Sequence, residues 1–134
     1  MAKYKKKLDA DIRCPLEYGL TIFGGKSGEY PQKLYKALMN SQTVLTVWDD
    51  ARLVGLIRVL DDSEMLAQIH YVLVHPEYQG RGIAGRMVEY IKEKYKNFMY
   101  LELMPEDKNN VPFYEKYGFH VMENGAAMQI CNIN

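Results

Sequence analysis

Between Gly82 and Tyr95 the apolar residues Ile83, Met87, Val88, Ile91 and Tyr95 recur every three or four positions. Arg86, Glu89, Lys92, Glu93 and Lys96 take the positions between and just beyond them, so the spacing predicts a helix with one buried side. The run 65–74 before it is long and apolar, as a central strand covered on both faces must be. Earlier in the chain, 17–23 reads as a strand ended by Gly24-Gly25-Lys26-Ser27-Gly28. Pro31 can open a helix to Asn40 with Leu34 and Leu38 inward. Runs 43–48 and 53–60, joined by Asp49-Asp50-Ala51-Arg52, suit an antiparallel hairpin, and 61–64 makes a further turn. After the amphipathic helix come a strand at 98–104, a helix started by Pro112 and stopped by Gly118, and strands at 119–122 and 126–131. The order is mixed α/β with mostly adjacent antiparallel pairs.

A chain of 134 residues has the length of one ordinary domain, and no composition shift marks a boundary within 1–134. Its 17 basic and 17 acidic residues leave no net field to draw nucleic acid or an anionic membrane. Lys3, Lys5, Lys6 and Lys7 make residues 1–10 read as a mobile basic tail. Cys14 and Cys131 have no metal or redox spacing, so reduced thiols in a cytoplasmic protein are the simplest reading. No apolar run approaches the roughly 18 residues that span a bilayer, and no signal-peptide stretch opens the chain.

The strongest local chemistry is Gln79-Gly80-Arg81-Gly82-Ile83-Ala84-Gly85, between the best strand and the best helix. Glycines there let backbone approach a ligand closely, and a helix start offers unpaired N–H groups at the positive end of its dipole. A phosphate or pyrophosphate is the natural guest, with Arg81 as an added donor; tight packing is the competing reading. Gly80, Gly82 and Gly85 also satisfy the dinucleotide-binding pattern, and Glu102 falls near its roughly 20-residue acidic offset. In that fold, however, the first glycine follows its strand directly, whereas His75-Pro76-Glu77-Tyr78-Gln79 intervene here. Gly25-Lys26-Ser27 looks like the end of a P-loop, but Leu20 stands where its first glycine is needed.

Taken together, these segments resemble the GNAT superfamily of N-acetyltransferases. Gln79-Gly80-Arg81-Gly82-Ile83-Ala84 is similar to the family's Gln/Arg-x-x-Gly-x-Gly/Ala motif, which binds the pyrophosphate of coenzyme A. Val72-Leu73-Val74-His75-Pro76-Glu77-Tyr78 looks like its fourth strand and the loop after it. Val111-Pro112-Phe113-Tyr114-Glu115-Lys116-Tyr117-Gly118-Phe119 is similar to its Phe-Tyr-x-Lys-x-Gly-Phe segment. The resemblance implies an α/β (α+β) fold with a mixed, mostly antiparallel sheet of about seven strands flanked by about four helices. It also implies a sheet splayed between strands four and five.

The implied activity is transfer of an acetyl group from acetyl-CoA to a primary amine on a small molecule or peptide, by direct attack in a ternary complex and without a metal. Cofactor contacts fall on Val72, Leu73, Val74, Gln79, Gly80, Arg81, Gly82, Ile83, Ala84 and Gly85, with backbone of Val72 and Val74 pairing to the pantetheine arm like an added strand. Tyr114 corresponds to the tyrosine that protonates the leaving thiolate; read without the family, it is an aromatic core residue. The carboxylate that many relatives place in strand four corresponds to Gln68 or Tyr71, neither an acid. His70 is adjacent, but strand alternation turns it to the face opposite Tyr71, and Glu102 is a further candidate base. Asp107 stands where relatives carry a cofactor-contacting Asn; Asn109 and Asn110 lie nearby, and Asn110 is placed to cap the following helix. Homodimers are frequent in the family. A non-catalytic acyl-CoA-binding module and a nicotinamide-dependent oxidoreductase are the alternative functions.

Overall fold

A computed structural model describes residues 3–5 and 29–133, and the expected strand at 17–23 and the Gly25-Lys26-Ser27 turn lie outside them. The chain divides into two compact units, Met1–Leu103 and Met104–Asn134. In the first, Lys3–Lys5 form β1, followed by helix α1 (Pro31–Met39), β2 (Thr43–Asp49), β3 (Arg52–Asp61), β4 (Leu66–Val74), helix α2 (Ile83–Lys94) and β5 (Tyr100–Leu103). Strands β1 to β5 lie side by side in sequence order. The first four pair antiparallel, while β4 and β5 run parallel from Leu66–Tyr100 to Ile69–Leu103. A parallel neighbour needs a crossover, and α2 provides it. The predicted frayed tail is therefore partly ordered: Lys3–Lys5 pair with the outer edge of β2, whose backbone groups would otherwise stand unpaired.

Side-chain alternation gives the sheet two faces. A Cβ added at Gly55 would lie 3.1 Å from Ile83 Cγ2, so Gly55, and with it Ile57 and Val59, look toward α2. Leu56 belongs instead to a buried cluster with Leu34 and Leu38 of α1, Val44, Trp48 and Leu53. Ile83, Met87, Val88 and Ile91, the residues picked out by their spacing, are the buried side of α2. Tyr95, just beyond α2, is 4% exposed and closes a polar link inside this core. Its hydroxyl donates to Asp61 Oδ2 at 2.6 Å. With that single proton spent, Thr43 Oγ1, also at 2.6 Å, must be donor to Tyr95.

The ladder between β3 and β4 is broken at one point. Arg58 pairs with Tyr71 but Val59 pairs with Ile69, so His70 is an extra residue in β4, a β-bulge. The extra residue cancels the alternation expected between positions 70 and 71. Tyr71 and Leu73 pack against the α1 cluster. His70 joins them: its ring lies 4.4 Å from that of Tyr71, and Arg58 touches both. The expectation that His70 and Tyr71 face opposite ways is thus corrected.

In the second unit, Asp107 opens a 3-10 turn at Lys108–Asn110, which leads into helix α3 (Val111–Glu115). Gly118, at φ 93, ends that helix, and Phe119 N donates back to Tyr114 O. The strands expected at 119–122 and 126–131 do not form. Met122 and Gly125 close a turn, and Met128 and Ile130 are 93% and 88% exposed. Alternating apolar residues become a strand only when another strand pairs with them, and none of the described residues does so here. Against about seven strands and four helices, the described residues hold five strands and three α-helices.

Candidate functional site

Between β4 and α2 the chain makes a 3-10 turn at Pro76–Tyr78, capped by His75, whose Nδ1 accepts from Glu77 N at 3.1 Å. The β2–β3 hairpin braces this turn. Tyr78 donates its hydroxyl to Asp49 Oδ2 at 2.5 Å, which holds its pKa above the usual phenol value. Arg52 pairs with Glu77 Oε2 at 3.1 Å. Arg81 folds back over the Tyr78 ring, 4.7 Å from its centre, and donates to Glu77 O. In this conformation it ties the loop together.

The glycines then do what their positions require. Gly80 and Gly82 sit at φ 78 and 80, in the left-handed region that disfavours side chains, and a Cβ at either would meet nothing within 4 Å. Gly82 is the N-cap of α2, and no side chain caps the helix. Its ladder begins with Arg86 N donating to Gly82 O. The amides of Ile83, Ala84 and Gly85 therefore have no acceptor within the helix and lie at its positive end.

Beside the loop, β4 leaves its partner. The parallel ladder with β5 stops at Ile69–Leu103, and residues 70–74 continue beyond it. His75 N donates to Val54 O on β3 at 2.7 Å. By alternation the backbone of Leu73 also addresses β3, whereas that of Val72 and Val74 addresses the side away from β3. There Gln79 Nε2 donates to Val74 O at 3.2 Å. Of the predicted contacts, Val72, Val74 and residues 79–85 thus share one end of the sheet, while Leu73 packs its side chain toward α1.

On the α1 face, Leu60 pairs with Gln68 and Gln68 with Glu102, so Arg58, Gln68, His70, Tyr71 and Glu102 lie on one side of the sheet. Arg58 Nη1 donates to His70 Nδ1 at 2.7 Å. That bond leaves the proton of a neutral imidazole on Nε2 and makes His70 a donor rather than a base. Arg58 was not among the residues singled out from the sequence. A lone cation within the apolar run 53–60 was its only signal.

In the second unit, Tyr114 stacks edge-on against Phe113 and Phe119. Burial raises its pKa, and its hydroxyl has no hydrogen-bond partner among the described residues. Asp107 caps the 3-10 turn by accepting from Asn109 N at 2.9 Å. Asn110 is the N-cap of α3 but makes no side-chain cap, so the capping expected of it is absent, and the side-chain cap here is that of Asp107 on the 3-10 turn before it.

A profile of the Acetyltransferase (GNAT) family matches residues 16–119. The chain belongs to that family. It is 28% identical over 99 residues to an uncharacterized ycf52-like N-acetyltransferase of Prochlorococcus marinus, covering 70% of this chain and 55% of that protein. An uncharacterized N-acetyltransferase of Methanocaldococcus jannaschii is 32% identical over 66 residues, 46% of this chain and 29% of that one. The aligned stretches thus span about half or less of these relatives' length. Among solved structures, a Staphylococcus aureus protein of unknown function superposes with TM-score 0.81 at 28% identity, over 98% of this chain and 99% of that one. A GNAT acetyltransferase of Elizabethkingia anophelis with acetyl-CoA bound has the same fold, with TM-score 0.69 at 18% identity over 90% and 77% of the two chains. The mixed sheet, with one parallel pair among the described residues, is that of a GNAT fold and unlike the parallel sheet of a dinucleotide-binding fold. Among the described residues no helix is long and apolar enough to cross a membrane, and no group of three or more His, Cys, Asp or Glu residues could hold a metal.

Proposed function

We propose that this GNAT acetyltransferase moves the acetyl group of acetyl-CoA directly onto a primary amine. The carrying observation is the uncapped start of α2 behind Gly80 and Gly82, where three amides and open space meet a diphosphate's needs. The pantetheine arm would extend along Val72 and Val74, where the backbone is turned away from β3. Its pairing with Val74 O would displace the Gln79 amide, freeing Gln79 for the cofactor.

Attack of an amine on a thioester needs no covalent enzyme intermediate. Most of the rate gain must come from holding both reactants in line and from a backbone N–H facing the carbonyl oxygen as it gains charge. A protonated amine cannot attack, and Glu102 is the carboxylate on the face shared by Gln68 and Tyr71, so we assign it the proton. Tyr114 then donates to the departing thiolate. Its raised pKa keeps it protonated throughout the neutral range.

Thiol release measured over a panel of amines tests the reading. Where chemistry limits the rate, Tyr114→Phe is expected to lower kcat by about a hundredfold or more with little change in acetyl-CoA affinity. Unchanged turnover would remove Tyr114 from the acid role. Binding of CoA with no turnover on any amine would instead support a non-catalytic acyl-CoA module.

A further inference from the structure

Arg58 is a half-buried guanidinium in the middle of an apolar sheet, and no carboxylate among the described residues pairs with it. A charge withdrawn from water in this way is normally compensated by an opposite one. Its neighbours here are neutral. Nε donates to Ser41 Oγ at 2.8 Å, and Ser41, 2% exposed, in turn donates to Ala37 O in the last turn of α1. Nη1 donates to His70 Nδ1, and the Tyr71 ring lies 5.7 Å from the guanidinium centre. Of the five N–H donors of arginine, two are spent in these bonds, and five minus two leaves three without an acceptor among the described residues. The group is thus held from two sides, by the Ser41 hydroxyl at the end of α1 and by the β4 bulge, and its remaining donors meet no acceptor among the described residues. Burial lowers its pKa and the nearby Tyr71 raises it, but a guanidinium stays charged at any working pH.

The bulge puts His70 beside this fork on the face that carries Glu102, the carboxylate assigned the amine's proton. Without the extra residue, alternation would separate His70 and Tyr71; with it, Arg58, His70, Tyr71 and Glu102 share the α1 face. The diphosphate-binding amides belong to α2, which packs on the opposite face, so Arg58 is not placed to serve the cofactor. We propose that Arg58, oriented by Ser41 and His70, binds an oxyanion of the acceptor, so that the acetylated amine is one that also carries a carboxylate or a phosphate. The inference rests on the acetyl-transfer reading for the word acceptor, but the binding site itself can be tested without turnover.

Calorimetry with the whole chain, in the presence of CoA, would compare three probes that share one amine: an α-amino acid, its decarboxylated amine, and that amine carrying a phosphate monoester. Wild type is expected to bind one of the two anionic probes at least about tenfold more tightly than the plain amine, and which one identifies the anion. Arg58→Gln should erase the difference while keeping its affinity for acetyl-CoA. Arg58→Lys, which keeps the charge but loses the fork, should restore part of it. Equal binding of all three probes by wild type would overturn the proposal, as would an unchanged preference in Arg58→Gln. If the preference holds but no probe is acetylated, the transferase reading fails and the anion site stands. If amines are acetylated without regard to charge, the anion site fails and the transferase reading stands.

Discussion

At the scale of single residues, Tyr95 and Gly82 show how differently two positions in one fold are constrained. Tyr95 is held neutral by burial and by its bond to Asp61, which push its pKa up to about 12. Its folded value thus lies above the unfolded one of about 10. The stabilisation it gives is complete below the unfolded value and is lost as pH rises toward 12. Urea unfolding between pH 8 and 12 should therefore show a fall in stability across that window. Tyr95→Phe should lower stability at pH 8 by about 1–3 kcal/mol, because Asp61 and Thr43 lose their partner, and should flatten the alkaline fall. An identical alkaline slope in the variant would contradict the assignment. Gly82 is constrained by φ rather than by packing. Gly82→Val should cost about 1–2 kcal/mol in stability from left-handed strain alone. It should also weaken acetyl-CoA binding more than tenfold, since the added methyls enter the space proposed for the diphosphate. A folded variant with unchanged affinity by calorimetry would count against the loop.

At the scale of elements, Gly55 is where β3 meets the first residue of α2. A Cβ there would press on Ile83 Cγ2 at 3.1 Å and on Val47 at 3.3 Å. Gly55→Val should shift the start of α2 and lower the urea midpoint by about 1–3 kcal/mol equivalent, with a loss of acetyl-CoA affinity that a remote core substitution of equal cost would not show. The elements themselves were legible wherever one face is apolar: the spacing of Ile83, Met87, Val88 and Ile91 gave α2, and the hairpin's polar turn gave β2 and β3. Two things were not. The strands expected near 119–122 and 126–131 had the composition of strands, but pairing depends on a neighbour that no local pattern encodes. The β4 bulge was equally hidden, because an extra residue leaves no mark on hydrophobicity and shows only in the register of the partner. With it went the true facing of His70, and so the significance of Arg58. The glycine loop could be read because its requirements are local: left-handed φ, an open helix start, and a strand a few residues before.

At the scale of the whole molecule, family and fold agree. The profile match covers 16–119, and the fold superposes on GNAT acetyltransferase structures over nearly the whole chain. The proposed acetyl transfer needs a cofactor gripped by its diphosphate, so that the thioester is presented at the end of β4, where that strand runs on beyond its pairing with β5. The proposed mechanism stands on that grip. It is tested most directly by titrating acetyl-CoA into the ¹⁵N-labelled protein and following backbone amide resonances. The amides of Ile83, Ala84 and Gly85 are predicted to show the largest shifts, saturating together with those of Val72 and Val74. Saturable binding that leaves the three α2 amides unmoved would contradict it.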